Sequence, residues 1–351
     1  MYCIPYAILV VILLSSCYDT PSASGETASV LRDTTPATSI STLTVEEVFR
    51  WEDVAPDIAT FGFSSDGTGL YTYADGSWQL WDMETGELVQ QQQIWDGSRI
   101  YNASFSRGAT IFAAGLPDNS VGVWDVASAT QIATLAGHAG FIMKVAFSPD
   151  TSLIATADLN GVIYLWDAEL LEEITHWQAF NNTIGSLEFS SDNTVLACGS
   201  VGGNHEIKLW SVPSGGLLST LSGHTDNVYN LCFTESDSRL LSTSGDSTYR
   251  IWDADSGELI SSTTISQEKV YGLSVTGDEL LLATSDNRSL VKIWDYEEKE
   301  RLITLTAPGQ YVFMVEFSPS GSWIVAKAMA STGTTGSLIV WQYGYDLSVP
   351  E

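Results

Sequence analysis

The side chains best suited to chemistry in this chain of 351 residues are four histidines and four cysteines. They are His138, His176, His205, His224, Cys3, Cys17, Cys198 and Cys232. The cysteines show no CxxC spacing, and the histidines lack a second ligand at the spacing of known zinc sites. The sequence also lacks a nucleophile elbow, a phosphate-binding loop and a calcium loop. We therefore predict no catalytic set, no metal site and no cofactor.

Cys198 and Cys232 lie within the apolar segments LAC and NLCF, which have the composition of buried strands. A free cysteine in such a place behaves as a small hydrophobic residue. We therefore predict two separate buried thiols.

Cys17 stands directly after an apolar leader. Residues 7–14 read AILVVILL, which is the length of a signal-peptide core and too short to span a bilayer comfortably. The run ends in Leu14-Ser15-Ser16-Cys17, which resembles the bacterial lipobox. That resemblance implies a signal peptide over residues 1–16 and lipid attachment at Cys17. An uncleaved anchor and an ordinary secretory signal remain as alternatives.

Residues 17–42 are rich in Ser, Thr, Pro, Ala and Gly and show no apolar periodicity. Such a composition cannot bury a core. We predict a flexible tether that holds the folded part, residues 43–351, away from a membrane.

The folded part repeats. Seven segments with a turn after a large apolar residue follow one another at spacings of 42, 42, 42, 44, 42 and 42 residues. They begin at Phe63, Phe105, Phe147, Phe189, Phe233, Val275 and Phe317. Each is followed by a tryptophan, namely Trp81, Trp124, Trp166, Trp210, Trp252, Trp294 and Trp341, and five of these precede Asp.

Between these markers, apolar runs of four to eight residues alternate with turns rich in Gly, Asp, Asn and Ser, which predicts hairpins. A period of about 42 residues with a terminal Trp-Asp is typical of four strands per propeller blade. Residues 45–345 resemble the WD-repeat (WD40) family. The resemblance implies an all-β fold: a seven-bladed β-propeller with four antiparallel strands per blade.

The ring needs a closing strand. Only ten residues follow Trp341, too few to turn and form a further outer strand. Residues 43–51, LTVEEVFRW, stand where outer strands stand in the other repeats. We predict that they pair with the strand containing residues 338–341, because an unclosed ring would leave an exposed edge.

The family resemblance also implies a buried hydrogen-bonded set in each blade, made of His, Ser or Thr, Asp and Trp. Blade five matches it fully, and blade three matches it approximately with Asn in place of Asp. The residues are His224, Ser242, Asp246, Trp252, His138, Thr156, Asn160 and Trp166. Where the set exists, it satisfies buried polar groups and is structural.

The innermost strands supply the candidate binding residues. In WD-repeat proteins these strands look onto the face most used for partners. We call Phe63 and its six equivalents the repeat markers. Large side chains stand four or six residues before them, namely Tyr101, Phe141, Met143, Tyr229, Tyr271, Tyr311 and Phe313. Tyr, Phe and Met are enriched at protein interfaces. Packing between blades is the alternative role for these side chains.

The chain holds 14 Lys and Arg against 43 Asp and Glu, a formal net charge of −29. Such a charge repels nucleic acid and anionic lipid, so the membrane is reached only through the N-terminal anchor. We predict a monomeric, non-catalytic scaffold that binds proteins or peptides in the cell envelope, facing the periplasm or the exterior, with secretion as the alternative location. The alternative function, a propeller enzyme or carbohydrate binder, requires three or more converging Asp, Glu or His in the channel.

Overall fold

The computed structural model describes residues 27–31, 40–51, 58–74, 76–95, 101–265, 268–307, 309, 311–329 and 336–347. Within these ranges, the side chains of residues 27–31, 41, 58, 59 and 101 fall outside the description. The described residues form 29 strands and no α-helix.

The first fourteen strands are β1 (Thr27–Leu31), β2 (Ile40–Trp51), β3 (Ile58–Phe63), β4 (Gly69–Ala74), β5 (Ser77–Asp82), β6 (Leu88–Gln93), β7 (Tyr101–Phe105), β8 (Ile111–Gly115), β9 (Val121–Asp125), β10 (Thr130–Leu135), β11 (Ile142–Phe147), β12 (Leu153–Asp158), β13 (Val162–Asp167) and β14 (Glu173–Gln178). The other fifteen are β15 (Thr183–Phe189), β16 (Val195–Val201), β17 (Ile207–Ser211), β18 (Gly216–Leu221), β19 (Val228–Phe233), β20 (Arg239–Ser244), β21 (Thr248–Asp253), β22 (Leu259–Thr264), β23 (Val270–Val275), β24 (Leu281–Asp286), β25 (Leu290–Asp295), β26 (Arg301–Thr306), β27 (Tyr311–Phe317), β28 (Trp323–Met329) and β29 (Gly336–Leu347).

These strands form seven antiparallel sheets, each a blade of the ring, which confirms the predicted seven-bladed β-propeller. Blades one to six are β3–β6, β7–β10, β11–β14, β15–β18, β19–β22 and β23–β26. In each of them the strands pair in sequence order, because tight turns join neighbours in the chain. Blade seven is built differently, from β27, β28, β29 and strands at the N-terminal end of the described chain.

The hydrophobic core lies between blades. One cluster, for example, joins Ala155, Ile163 and Leu165 of blade three to Ile184 and Leu196 of blade four, and all five are completely buried. The second and third strands of each blade are covered on both faces, and their composition is accordingly apolar. The outer strands are more exposed: all six residues of β6 face solvent, although β26 buries Leu302, Ile303 and Leu305.

Ring closure follows the prediction. β2 pairs antiparallel with β29, with Glu47 opposite Trp341 and Trp51 opposite Leu338. The pairing extends beyond the predicted segment in both strands, because the residues after Trp341 continue β29 as far as Leu347 instead of ending the sheet. The contact joins residues about 300 positions apart in the chain, such as Thr44 and Gly344.

The segment that we expected to be a tether contributes to this sheet. Residues 40–42 belong to β2, and β1 pairs with β2 from Thr27 opposite Glu46 to Leu31 opposite Thr42. Blade seven therefore has five strands, in the order β1-β2-β29-β28-β27. The tether prediction rested on the absence of apolar periodicity. Strand addition along the free edge of β2 needs only backbone hydrogen bonds, which composition does not reveal.

Aspartates stabilise the hairpin turns, as the sequence indicates. Asp66 accepts hydrogen bonds from the Ser64 hydroxyl at 2.7 Å and from the Thr68 backbone at 3.0 Å, and these bonds lower its pKa to about 2. Turns also link neighbouring blades: Ser191 donates to Asp237, with an Oγ–Oδ2 distance of 2.6 Å. Part of the acidity is thus structural.

Candidate interaction surface and central channel

A β-bulge in every innermost strand sets the direction of the candidate binding residues. In blade five, Val228 pairs with Ser244 and Asn230 pairs with Thr243, so Tyr229 is the extra residue of the bulge. Phe313 occupies the same place in blade seven, and Met143 does so in blade three. A bulge re-aims a side chain that strict alternation would send to the opposite face. In the sequence, the bulge is indicated by a spacing of three residues between successive side chains of one face, as from Ile142 to Val145. A regular strand has a spacing of two.

Four of the predicted residues form a continuous series of tilted ring contacts, which we call the aromatic arc: Tyr229, Tyr271, Tyr311 and Phe313. The ring centroids of Tyr229 and Tyr271 lie 4.8 Å apart, those of Tyr271 and Phe313 4.9 Å, and those of Phe313 and Tyr311 5.9 Å. The arc crosses blades five, six and seven. Its members are partly accessible, with Tyr311 37% exposed.

The remaining predicted residues lie elsewhere on the ring. Phe141 and Met143 are half-buried in blade three, two blades away from Tyr229. Tyr101 begins β7 in blade two, and its side chain is outside the described residues. Cys17 also lies outside them. Among the described residues, no helix is long and apolar enough to cross a membrane.

The centre of the ring holds a cavity of about 640 Å³. Its wall includes Tyr229 and Phe313 of the arc. It also includes polar residues that lie three residues before a repeat marker, namely Thr60, Asn102, Lys144, Ser186 and Asn230, and Glu316, which lies one residue before its marker. Sequence reasoning missed the charged members, because it considered only positions four and six before the markers. Glu188 and Cys232 occupy the position of Glu316 in blades four and five.

The channel environment shifts the pKa values of its ionisable groups. Burial raises the pKa of Glu316 to about 7, while burial and the neighbouring Glu316 carboxylate raise that of Glu188 to about 8. Burial raises the pKa of the Cys232 thiol to about 12, and it lowers the pKa of Lys144. At these channel positions the described residues include two carboxylates, one fewer than the three required for the enzyme or carbohydrate-binding alternative.

Blade five contains the predicted polar set with short contacts throughout. His224 Nε2 lies 2.7 Å from Ser242 Oγ, and His224 Nδ1 lies 2.8 Å from Asp246 Oδ2. The Trp252 indole donates to the same Ser242 oxygen at 2.8 Å. The pKa of His224 is lowered, chiefly by burial. That of Asp246 is lowered too: its hydrogen bonds to His224 and Thr248 outweigh the effect of burial.

Blade three departs from its predicted set at one residue. His138 Nε2 lies 2.7 Å from Thr156 Oγ1, which also accepts the Trp166 indole hydrogen at 2.9 Å. The carboxylate beside the histidine belongs to Asp158, whose Oδ2 lies 3.2 Å from His138 Nδ1. Asn160 is not in this position and instead donates its backbone N–H to Asp158. The carboxylate thus comes from the end of β12, two positions earlier than in blade five.

Blades one, four and six keep only the tryptophan and its acceptor, whereas the buried Trp124 indole of blade two has no hydrogen-bond partner among the described residues. The Trp81 and Trp294 indoles donate to Thr72 and Thr284, at 3.0 and 2.9 Å. In blade four the acceptor is the buried Cys198 sulfur, 3.2 Å from Trp210 Nε1. Cys198 and Cys232 are both free, with Cys198 fully buried and Cys232 partly exposed.

A buried ion pair takes the place of the histidine set in blade six. Lys292 Nζ lies 2.7 Å from Asp286 Oδ2, and the two side chains are 5% and 2% exposed. Asp286 also accepts the backbone N–H groups of Arg288 and Leu290. The sequence analysis did not identify this pair.

Comparison with protein families finds a match for three of the sequence repeats. The model of the family "WD domain, G-beta repeat" (WD40) matches residues 129–167, 171–211 and 215–253. These three segments are similar to WD40 repeats. Each matched repeat joins the outer strand of one blade to the three inner strands of the next, as in β10 with β11–β13. This offset is why the ring closes by pairing the two ends of the chain.

Similar curated proteins support the same family. Periodic tryptophan protein 2 of Arabidopsis thaliana is 29% identical over 167 residues, covering 47% of this chain and 18% of its own length. Autophagy-related protein 16 of the same plant is 26% identical over 184 residues, covering 52% and 35%. Apoptotic protease-activating factor 1 of Rattus norvegicus is 25% identical over 202 residues, covering 52% and 15%. The alignments therefore span only about a sixth to a third of these relatives.

Proposed function

We propose that this protein is a non-catalytic scaffold that binds a protein or peptide partner through the aromatic arc at the mouth of the channel. The observation that carries the proposal is the continuous ring contact of Tyr229, Tyr271, Phe313 and Tyr311 across three blades. Large aromatic side chains supply binding energy at interfaces at a low cost in side-chain entropy. WD-repeat proteins are typically protein-interaction scaffolds, which supports the same function.

Polar groups lie beside the arc and would orient a bound partner. Lys269 Nζ lies 6.0 Å from the centre of the Tyr229 ring and 3.4 Å from Asp226 Oδ2. Asn227 donates to the Tyr229 hydroxyl at 3.4 Å. An apolar centre with hydrogen-bonding groups at its rim is the general anatomy of a protein interface.

The location is part of the proposal. The leader and the LSSC sequence ending at Cys17 support lipid attachment in a cell envelope, with the propeller facing the periplasm or the exterior. The net charge of −29 opposes adsorption to anionic membranes, so a covalent lipid is the more effective anchor.

The test of the interface compares two double variants in capture experiments with the mature chain. We expect Tyr229→Ala/Tyr271→Ala to weaken partner capture by at least about tenfold, since two interface aromatics are removed. Leu217→Ala/Leu259→Ala removes exposed apolar side chains from the outer strands of blades four and five and should bind normally. Equal capture by both variants, with both folded, would refute the role of the arc.

The anchor has its own test. Expressed in a bacterium, the full chain should partition into detergent, and Cys17→Ser should release it or block its processing. Identical partitioning and mass in the variant would exclude lipid attachment at Cys17 without affecting the interface proposal.

A further inference from the structure

Three ionisable side chains of the innermost strands lie at or next to the channel. Among the described residues, Lys144, Glu188 and Glu316 form no ion pair and no hydrogen bond. Each is only partly exposed. Ser186, which lines the same cavity, has a buried hydroxyl that is likewise unpaired. Elsewhere in the molecule the buried charges of Asp286 and Lys292 neutralise each other at 2.7 Å.

Charges of opposite sign stand on opposite walls of the cavity. Lys144 belongs to blade three and Glu316 to blade seven, with two blades between them on one side of the ring and three on the other. Glu188, in blade four, is close enough to Glu316 for the two carboxylates to repel each other. The cavity of about 640 Å³ lies between Lys144 and Glu316, and its wall also includes the exposed Arg107. Its size is typical of small-molecule sites.

An unpaired charge in a confined site is costly, and a ligand that pairs it recovers that cost. We propose that the central channel binds a zwitterionic small molecule, an amino acid or short peptide, whose carboxylate pairs with Lys144 and whose ammonium group pairs with Glu316. The site shares Tyr229 and Phe313 with the arc but depends on Lys144 and Glu316, so either function can fail without the other.

The wall favours a zwitterion over an ion of one sign. An anion alone would meet Lys144 but would leave Glu316 unpaired and would approach a protein of net charge −29. A cation alone would leave Lys144 unpaired. Uncharged donors and acceptors stand between the charges, including Ser186 and the Asn230 amide, so a peptide group could also be accommodated.

Calorimetry on the full chain in detergent tests the proposal by measuring the binding of two zwitterions. L-phenylalanine represents a free amino acid, and trialanine represents a short peptide. Two matched compounds lack one charge each: phenylalaninamide has no carboxylate, and 3-phenylpropanoate has no ammonium. We expect at least one zwitterion to bind, and its single-charge analogues to bind roughly ten- to a hundredfold more weakly, the effect of losing one charged hydrogen bond. Binding of trialanine but not phenylalanine would identify a peptide site, and the reverse an amino-acid site.

Variants locate the site. Lys144→Met and Glu316→Gln should each weaken zwitterion binding by a similar factor, whereas Lys299→Met and Glu169→Gln, on the outer surface, should leave it unchanged. The proposal is overturned if neither zwitterion binds the wild type at millimolar concentration. It is also overturned if a single-charge analogue binds as tightly as its parent, or if folded channel variants bind normally. Should a channel variant fail to fold, the analogue comparison on the wild type still decides.

Discussion

Two lysines of this propeller, the buried Lys292 and the partly exposed Lys144, differ in how their charges are paired. Lys292 lies inside blade six, with Asp286 at 2.7 Å. Lys144 lies on the wall of the channel and has no ion pair or hydrogen bond among the described residues. The blades pair their buried charges because an unpaired one would destabilise the fold. The channel leaves its charges unpaired, which is the condition for binding a ligand.

The same contrast extends to neighbouring residues. Within blade five, His224, Ser242, Asp246 and Trp252 satisfy one another at 2.7–2.8 Å. In the channel, Glu188 and Glu316 repel each other. Substitutions inside the blades should therefore lower stability, whereas substitutions in the channel should leave stability unchanged or increase it.

The largest effect is expected from Lys292→Met. The variant leaves the Asp286 carboxylate buried without its cation, which we expect to lower the free energy of unfolding by about 3–5 kcal/mol in urea titrations. The double variant Asp286→Asn/Lys292→Met removes both charges and should recover part of that loss. A cost below about 1 kcal/mol for Lys292→Met would show that the pair is not a structural requirement of blade six.

A smaller loss is expected from Ser242→Ala in blade five. The Ser242 hydroxyl contacts both the Trp252 indole and His224, so its removal leaves two buried polar groups unsatisfied. We expect the free energy of unfolding to fall by about 1–3 kcal/mol. Ser256→Ala, in an exposed turn of the same blade, is the control and should cost less. Equal costs would show that the buried set contributes no more than a turn.

The fold was predictable because its signals are periodic. Phe63 and the six equivalent residues fix the number of blades, and counting outer strands identified β2 as the closing strand. β1 was not predictable, because its pairing with β2 is a backbone interaction that its composition does not encode. The lipid anchor at Cys17 lies outside the described residues and stays a prediction.

The site was predictable only in part. Position relative to the repeat markers identified Tyr229, Tyr271, Tyr311 and Phe313, which the structure brings into continuous contact. It did not identify Lys144 and Glu188, because the bulge places residues of several register positions around the channel. The closed ring determines which residues of different blades face each other across the channel. A single repeat does not contain that information.

Glu188→Gln should change the pH dependence of stability. The pKa of Glu188 is raised from an ordinary value of 4.5 to about 8 in the folded protein, so between these values the folded state holds a proton that the unfolded state has lost. Its contribution to stability therefore falls as pH rises from about 4.5 to 8 and is constant outside that range. The variant should melt a few degrees higher than wild type at pH 8.5 and like wild type at pH 4. A constant difference between the two pH values would contradict this account.

The smallest effect is expected from Lys144→Met, the counterpart of Lys292→Met. Burial lowers the pKa of Lys144, which means that the folded protein bears a cost for the charged form at neutral pH. Methionine keeps most of the side-chain volume and removes that cost without leaving a partner unpaired. We expect the free energy of unfolding to stay equal to that of wild type or to rise by up to about 1 kcal/mol. The difference should shrink as pH rises, because Lys144 loses its proton at a lower pH in the folded protein than in the unfolded chain, and urea titrations at pH 7 and pH 10 would measure it. A loss comparable to that of Lys292→Met would mean that Lys144 has a structural partner in the ring. The contrast between paired blades and unpaired channel would then no longer hold.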